Sequence, residues 1–236
     1  MNTKLIFELK EKRKMKKFEF TGETMTTFFG KTLHRIRAIA DIIDAVGDVI
    51  VKAGQLGGWL EKEGNLSQYG NAWVYDNAWV YDNASIYGNA WVCGNARVCG
   101  NARVRDDASV YGNAWVRDNA SIYGNASVYG NAWVCGNARV CGNARVCDDA
   151  VVKKSDHYLT VGPIGSRNDT TTFFRNAKGI IKVKCGCFIG TIDTFLKKVT
   201  KTHGNNKHSV AYRAAAALAV AQIDMTVTYD DISTTK

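Results

Sequence analysis

The 236-residue chain has one proline and four histidines, and it lacks any long apolar run. A membrane-spanning helix needs about 18 consecutive apolar residues. The most apolar stretch here, Ala211 to Gln222, is interrupted by Arg213, so no membrane partner is expected. The opening "MNTKLIFELKEKRKMKKFEF" is basic but has neither the apolar core nor the small-residue cleavage site of a secretory leader. Together with seven cysteines, an odd number unsuited to a disulfide framework, this points to a reducing cytoplasm. The codons for "KEKRK" before Met15 can spell a ribosome-binding sequence, so either translation starts at Met15 or residues 1–14 are a basic tail. In both cases residues 1–14 are expected to be unstructured, and residues 231–236 form a tail. Charge is segregated: residues 1–53 carry +4, residues 54–152 carry −2 and residues 153–236 carry +7. Anionic partners are therefore expected at the ends of the chain.

What the chain has in excess is glycine, 22 of them, and a six-residue beat. Alanine recurs fourteen times from Ala72 to Ala150, and each time Val or Ile follows two residues later. Asn, or Asp at 107 and 149, precedes each alanine, with Gly or Asp before it. In a strand, residues two apart share a face, so Ala and Val/Ile point one way while the intervening Trp, Arg or Ser points the other. Gly-Asn and Asp-Asn supply the corner, because Gly and Asn tolerate positive φ. Three such sides close a triangular coil of eighteen residues whose narrow interior takes only small side chains. Stacked at about 4.8 Å, the fourteen hexads make a rod roughly 22 Å long, spanning residues 70–153.

The unit (Gly/Asp)-Asn-Ala-x-(Val/Ile)-x resembles the hexapeptide-repeat family, which implies a left-handed parallel β-helix; handedness is implied by the resemblance alone. Many members of that family are acyltransferases that use a histidine on the helix wall. Here His34, His157, His203 and His208 all lie outside the repeat, so acyl transfer is not expected. "LHRIRAI", "KAGQLGGWLEKEGNLSQ", the hexads and the segment after Val152 together resemble uncharacterised bacteriophage and prophage proteins, a resemblance that names no reaction.

Eighteen-residue rows place Trp79, Arg97, Trp115, Trp133 and Val151 above one another, and Trp73, Trp91, Ser109, Ser127 and Arg145 likewise. Stacked indoles could bind planar or sugar-like ligands, or they could simply cover the sheet. "YGNAWVCGNARVCGNARV" occurs at 87–104 and unchanged at 129–146, an offset of seven hexads that turns the copy onto another face. A site tied to one row would not survive that rotation, so covering the sheet is the favoured reading. The five cysteines of the repeat sit at least two coils from any cysteine of their own row, about 9.6 Å and too far for a disulfide.

Residues 15–69 read as two strands followed by a capping coil, with Gly64–Tyr69 a degenerate hexad. Residues 154–230 read as an α+β domain: strands at "DHYLTVG", "TTFFR" and "GIIKVKCGCFIG", then a helix capped by Thr191 or Asp193 and ended by Gly204, then a second helix. The whole is expected to be mainly β. Function is sought in the C-terminal domain, where the loop "VGPIGSRNDTTT" offers Gly165, Ser166, Arg167, Thr170, Thr171 and Thr172 to phosphate or carboxylate oxygens. It lacks the Gly-Lys-Ser/Thr ending of a P-loop. Lys182, Lys184, Cys185 and His203 join the candidate set, within a stretch from Arg175 to Lys207 that holds eight cations and one acid. Cys185, Cys187, His203 and His208 invite a zinc reading, but Cys-x-Cys is shorter than the usual gap, and neither metal nor cofactor is assigned.

These features lead to a phage-encoded, non-enzymatic binding protein in the cytoplasm of an infected bacterium. A homo-oligomeric β-helix would present a basic module to an anionic small molecule or a host macromolecule, in one version sequestering a nucleotide-derived immune signal. Two alternatives stay open: a nucleotide-processing enzyme using Arg167, Cys185 and His203, and a structural or virion-associated spacer.

Overall fold

The computed structural model describes residues 16–226. The expected tails at 1–14 and 231–236 and the start at Met15 lie outside the described residues. The chain opens with β1 (Phe18–Thr26), β2 (Thr32–Ala38), a short hairpin of β3 (Ile42–Ile43) and β4 (Val49–Val51), and β5 (Leu56–Leu60). Fourteen two-residue strands, β6 to β19, then follow at six-residue intervals from Trp73–Val74 to Val151–Val152. Each pairs in parallel with the strand eighteen residues away, as Trp79 with Arg97, Arg103 with Ser85, and Ser109 with Trp91. The result is a three-sided parallel β-solenoid of about five turns.

The interior follows the expected alternation. Every repeat alanine from Ala72 to Ala150, and every Val or Ile two residues on, is at most 1% exposed. The corners divide their labour differently from the simple expectation. Positive φ is taken by the residue before Asn, as at Gly100 (φ +65) or Asp82 (φ +56), not by Asn. The asparagines instead stack through their side-chain amides, Asn83 donating to Asn101, Asn101 to Asn119 and Asn119 to Asn137 at 3.1–3.3 Å. Aspartate in a left-handed position is offset by a hydrogen bond: the carboxylates of Asp76, Asp82, Asp106 and Asp118 each accept the glycine N–H one coil above at 3.0–3.2 Å.

The backbone ladder between coils alternates in direction, but more N–H groups point to the next coil than back. A residue's N–H reaches the carbonyl of the next coil, as from Trp73 to Ala90 (3.0 Å) and from Arg103 to Ala120 (2.9 Å). The first coil therefore presents more carbonyls than N–H groups, and the last coil the reverse. At the first end, Lys17 Nζ donates to the carbonyls of Ala72 (2.7 Å) and Gly70 (3.3 Å), and Asn65 Nδ2 to those of Ala84 (2.8 Å) and Asp82 (3.1 Å). Burial pushes the Lys17 ammonium down to about 8. Strand β5 closes a second side by pairing in parallel with β7 (Trp79–Val80), and β2 and β1 continue that sheet antiparallel. Leu66, in the degenerate hexad, bridges to Ile86 and enters the core.

At the other end stands an antiparallel sheet of β20 (Tyr158–Ile164), β21 (Asp169–Arg175), β22 (Ile181–Cys185) and β23 (Phe188–Thr191). It is followed by α1 (Ile192–His203), capped by Thr191, one of the two expected caps, and α2 (Lys207–Gln222). One face of the sheet packs Phe173 and Val183 against Phe195, Val199, Tyr212 and Ala219 of the helices. The other turns Phe174 and Tyr158 onto the solenoid core. Here the cap supplies acceptors: Ser155 Oγ for the N–H of Arg139 (3.2 Å), Tyr158 Oη for that of Cys141 (3.3 Å) and Thr172 Oγ1 for that of Arg145 (3.0 Å). The C-terminal unit is thus a lid on the column as well as a unit with a core of its own.

Coil spacing makes a specific prediction at the corners. A Cβ on Gly100 would lie 2.8 Å from the Asp118 backbone nitrogen, whereas one on Gly142 meets nothing within 4 Å. Gly142→Ala is expected to cost about 1–2 kcal/mol from left-handed strain alone. Gly100→Ala should cost clearly more, because a whole coil must shift. Urea unfolding of the two variants measures the difference, and equal losses would refute the packing argument.

Candidate functional site

A cleft lies between the β20–β21 turn, the β22–β23 turn and the two helices. Ser166, Arg167, Cys185, Cys187 and Phe188 come from the turns and their flanking strands, and Tyr212 comes from α2. Phe195, Lys198, Val199, Thr202 and His203 come from α1, spaced so that they share one helical face. The floor is aromatic: the Phe195 ring meets Tyr212 edge-on at 5.4 Å, and His203 lies 5.9 Å from the same ring. Gly165, at φ +75, lets the turn pass the Tyr212 hydroxyl, which would fall only 1.8 Å from a Cβ at that position. Burial first, and then the adjoining Cys185 thiol, push the Tyr212 phenol up to about 12. The Arg167 guanidinium lies against Gly186. Lys198 Nζ sits 5.5 Å above the Phe188 ring.

Of the ten expected site residues, Ser166, Arg167, Cys185 and His203 meet in this cleft, with Gly165 shaping its rim. The other five lie elsewhere, because the expected loop is a hairpin whose turn is only Gly165–Asn168. Thr170 is half-buried in β21, its N–H directed to the Asp169 carboxylate at 2.7 Å. Thr171 and Thr172 are each 1% exposed, and Thr172 is occupied in capping Arg145. Lys182 reaches back to Asp148 of the last coil at 3.4 Å, and Lys184 lies by the Cys147 thiol. Sequence reasoning missed Lys198, Thr202 and Tyr212; the i+3 and i+7 spacing of Lys198 and Thr202 from Phe195 on α1 was the signal that could have found the first two.

Cys185, Cys187, His203 and His208 do not converge as a metal site; among the described residues the group that does is Asp156, His157 and Asp224. His157 is fully buried and its Nδ1 accepts the Lys153 N–H at 3.2 Å. Its proton therefore sits on Nε2, 4.0 Å from Asp156 Oδ1. Burial, then the Arg175 guanidinium, hold its pKa below the usual histidine range. A neutral ring with no lone pair turned to the carboxylates, near a guanidinium, is a structural post and not a cation ligand.

On the solenoid wall the aromatic rows are occupied by one another. Arg97 is sandwiched between Trp79 (4.3 Å) and Trp115 (5.0 Å), Trp115 stacks on Trp133 at 5.1 Å, and Tyr111 stacks on Tyr129 at 4.8 Å. All seven cysteines are free thiols, and burial raises the pKa of Cys93, Cys99, Cys135 and Cys147.

Residues 96–112, 120–136 and 138–153 match the family model of the YdcK beta solenoid repeat, in line with the observed coils. No curated protein matches the chain. No described helix is long and apolar enough to cross a membrane.

Two outcomes follow from these placements. Thr172→Val keeps the shape but orphans the Arg145 N–H, and is expected to cost about 1–3 kcal/mol in chemical denaturation while leaving any ligand binding at the cleft unchanged. A loss of binding with unaltered stability would return Thr172 to the site. For His157, the unfolded state binds the proton more tightly than the folded state, so stability should fall as pH drops below about 6.5. His157→Asn, which retains an acceptor for Lys153, should flatten that fall in a series of melts at decreasing pH.

Proposed function

We propose that the chain is a non-enzymatic binding protein, a β-solenoid post that carries at one end a cleft for an anionic small molecule. One observation carries the reading. Arg167 and Lys198 face a cleft with no acidic lining residue, and neither has an ion-pair partner among the described residues. Unpaired cations over an aromatic floor, with the hydroxyls of Ser166 and Thr202 beside them, suit a phosphate or carboxylate attached to a flat ring. The cleft encloses about 230 Å³, below the roughly 300–1,000 Å³ that holds a drug-sized ligand. It suits one charged group and an adjoining ring, not a whole dinucleotide.

The resemblance to hexapeptide-repeat phage proteins gives this chemistry a biological form: capture of a nucleotide-derived immune signal in the cytoplasm of an infected bacterium. A homo-oligomer would multiply the clefts. The enzymatic alternative is weaker, because the Cys185 thiol donates to the Tyr212 hydroxyl at 3.8 Å, and a phenol pushed up to about 12 is no base at neutral pH. The spacer alternative draws on the rotated duplication and is compatible with a ligand held at the end.

Calorimetric titration with AMP, cyclic mononucleotides and ADP-ribose derivatives tests the proposal. At least one should bind, and Arg167→Ala should weaken it tenfold or more, the size of a lost charged hydrogen bond of about 1.5–3 kcal/mol. Chromatography after denaturation should return that ligand intact. Absence of heat from all of them with folded protein would end the reading, and recovery of a product would favour the enzyme.

A further inference from the structure

A second, oppositely charged groove lies on the solenoid flank near its first end. Of the six tryptophans, Trp91 is the most exposed, at 42%. Its row explains this: above Trp91 come Ser109 and Ser127, too small to cover an indole, where the neighbouring wall has Arg97, Trp115 and Trp133 stacked together. Below it, Trp73 is buried against Phe18 at 6.4 Å and Tyr75 meets Trp91 edge-on at 5.9 Å, so the indole is fixed from one side and open on the other.

The β3–β4 hairpin overhangs this open side. Ile43, Val46 and Ile50 from the hairpin face Trp91, Asn71, Asn89, Asp107 and Ser109 of the wall across a groove of about 610 Å³, which also takes in Asp44. Its polar groups are partly committed. Asp44 Oδ1 accepts the N–H groups of Val46 (3.0 Å) and Asp48 (2.9 Å), and Asp107 Oδ1 accepts the Asn89 amide (2.9 Å). Each carboxylate keeps one oxygen without a hydrogen-bond partner among the described residues. The Asn71 side chain and the Ser109 hydroxyl likewise keep their full donor and acceptor capacity.

We propose that this groove binds a neutral saccharide. Two carboxylates with no cation among the lining residues exclude anionic ligands such as phosphates and nucleic acids. A pyranose has an apolar C–H face to lie on the open indole and a rim of hydroxyls, each both donor and acceptor. Asp44 and Asp107 accept from such hydroxyls, while Asn71 and Ser109 both donate and accept. A cationic ligand would use the carboxylates and the indole but leave the amide and hydroxyl donors idle. The groove's volume falls within the roughly 300–1,000 Å³ range of small-molecule clefts.

The test is binding of the full chain to an array of neutral oligosaccharides (β-1,4 and α-1,4 glucans, mannans and chitin oligosaccharides), with sialylated and phosphorylated glycans and a trimethyl-lysine peptide on the same surface. Binding is expected to neutral glycans only. Trp91→Ala should reduce it tenfold or more. Trp115→Ala, on the other wall, should leave it unchanged. Asp107→Asn, which preserves the stacked-amide geometry with Asn89, should weaken it several-fold, so the proposal does not rest on one variant. Binding to no neutral glycan, binding that survives Trp91→Ala, or preference for the anionic glycans or the cationic peptide would each overturn it.

Discussion

The structure depends on the direction of one hydrogen-bond ladder. Between any two coils more N–H groups point to the next coil than back to the previous one, so two coils of the middle are interchangeable while the two ends differ in their balance of donors and acceptors. The end with surplus carbonyls is met by donors, the Lys17 ammonium and the Asn65 amide; the end with surplus N–H groups is met by acceptors, the oxygens of Ser155, Tyr158 and Thr172. The non-repetitive flanks are therefore parts of the solenoid's own hydrogen bonding. They also keep its edges from pairing with a second chain.

The same periodicity limits where chemistry can be placed. An inward position admits only Ala, Val or Ile, and a corner position needs either glycine or an aspartate whose carboxylate reaches the coil above. Acids are never stacked on successive coils at that corner position: Asp82 lies under Gly100 and Asp118 under Gly136, which keeps like charges two coils apart. Outward positions are free in principle, yet one row covers itself, with Arg97 between two indoles and Trp115 on Trp133. The two candidate ligand sites lie where this mutual cover fails, one where the repeat stops and one where a row changes from large to small residues.

These constraints also explain what could be read from the sequence. The inward face of the repeat was legible to the residue because its rule recurs fourteen times, and an alanine at position 72 has the same physical reason as one at 150. The helix cap at Thr191 and the degenerate hexad around Leu66 were legible from local chemistry. The cleft was only half legible. Ser166, Arg167, Cys185 and His203 meet there, but Lys182 and Thr172 turn to the solenoid because β21 and β22 show one face to the helices and the other to the last coil. That alternation follows from strand register, and a stretch containing three threonines in a row gives no hydrophobic pattern from which to set it. His157 was invisible as a buried post because its acceptor role is defined by a neighbour four residues away in a turn with no repeat to compare.

A rigid column also separates the fields of its two candidate sites. Between Trp91 and Arg145 the ladder takes three steps through Ser109 and Ser127, roughly 14 Å at the spacing of paired strands. The cation-lined cleft lies beyond that, on the face of the C-terminal sheet turned away from the solenoid. Since exposed charges are largely screened beyond about 8 Å at physiological salt, the carboxylates of Asp44 and Asp107 neither weaken an anion at Arg167 nor draw cations from it. A flexible tether of the same length would let the basic module fold back onto those carboxylates and neutralise both. The stiffness of the stacked coils therefore preserves two unlike surfaces on one small chain, and inserting further hexads would widen the gap without changing either.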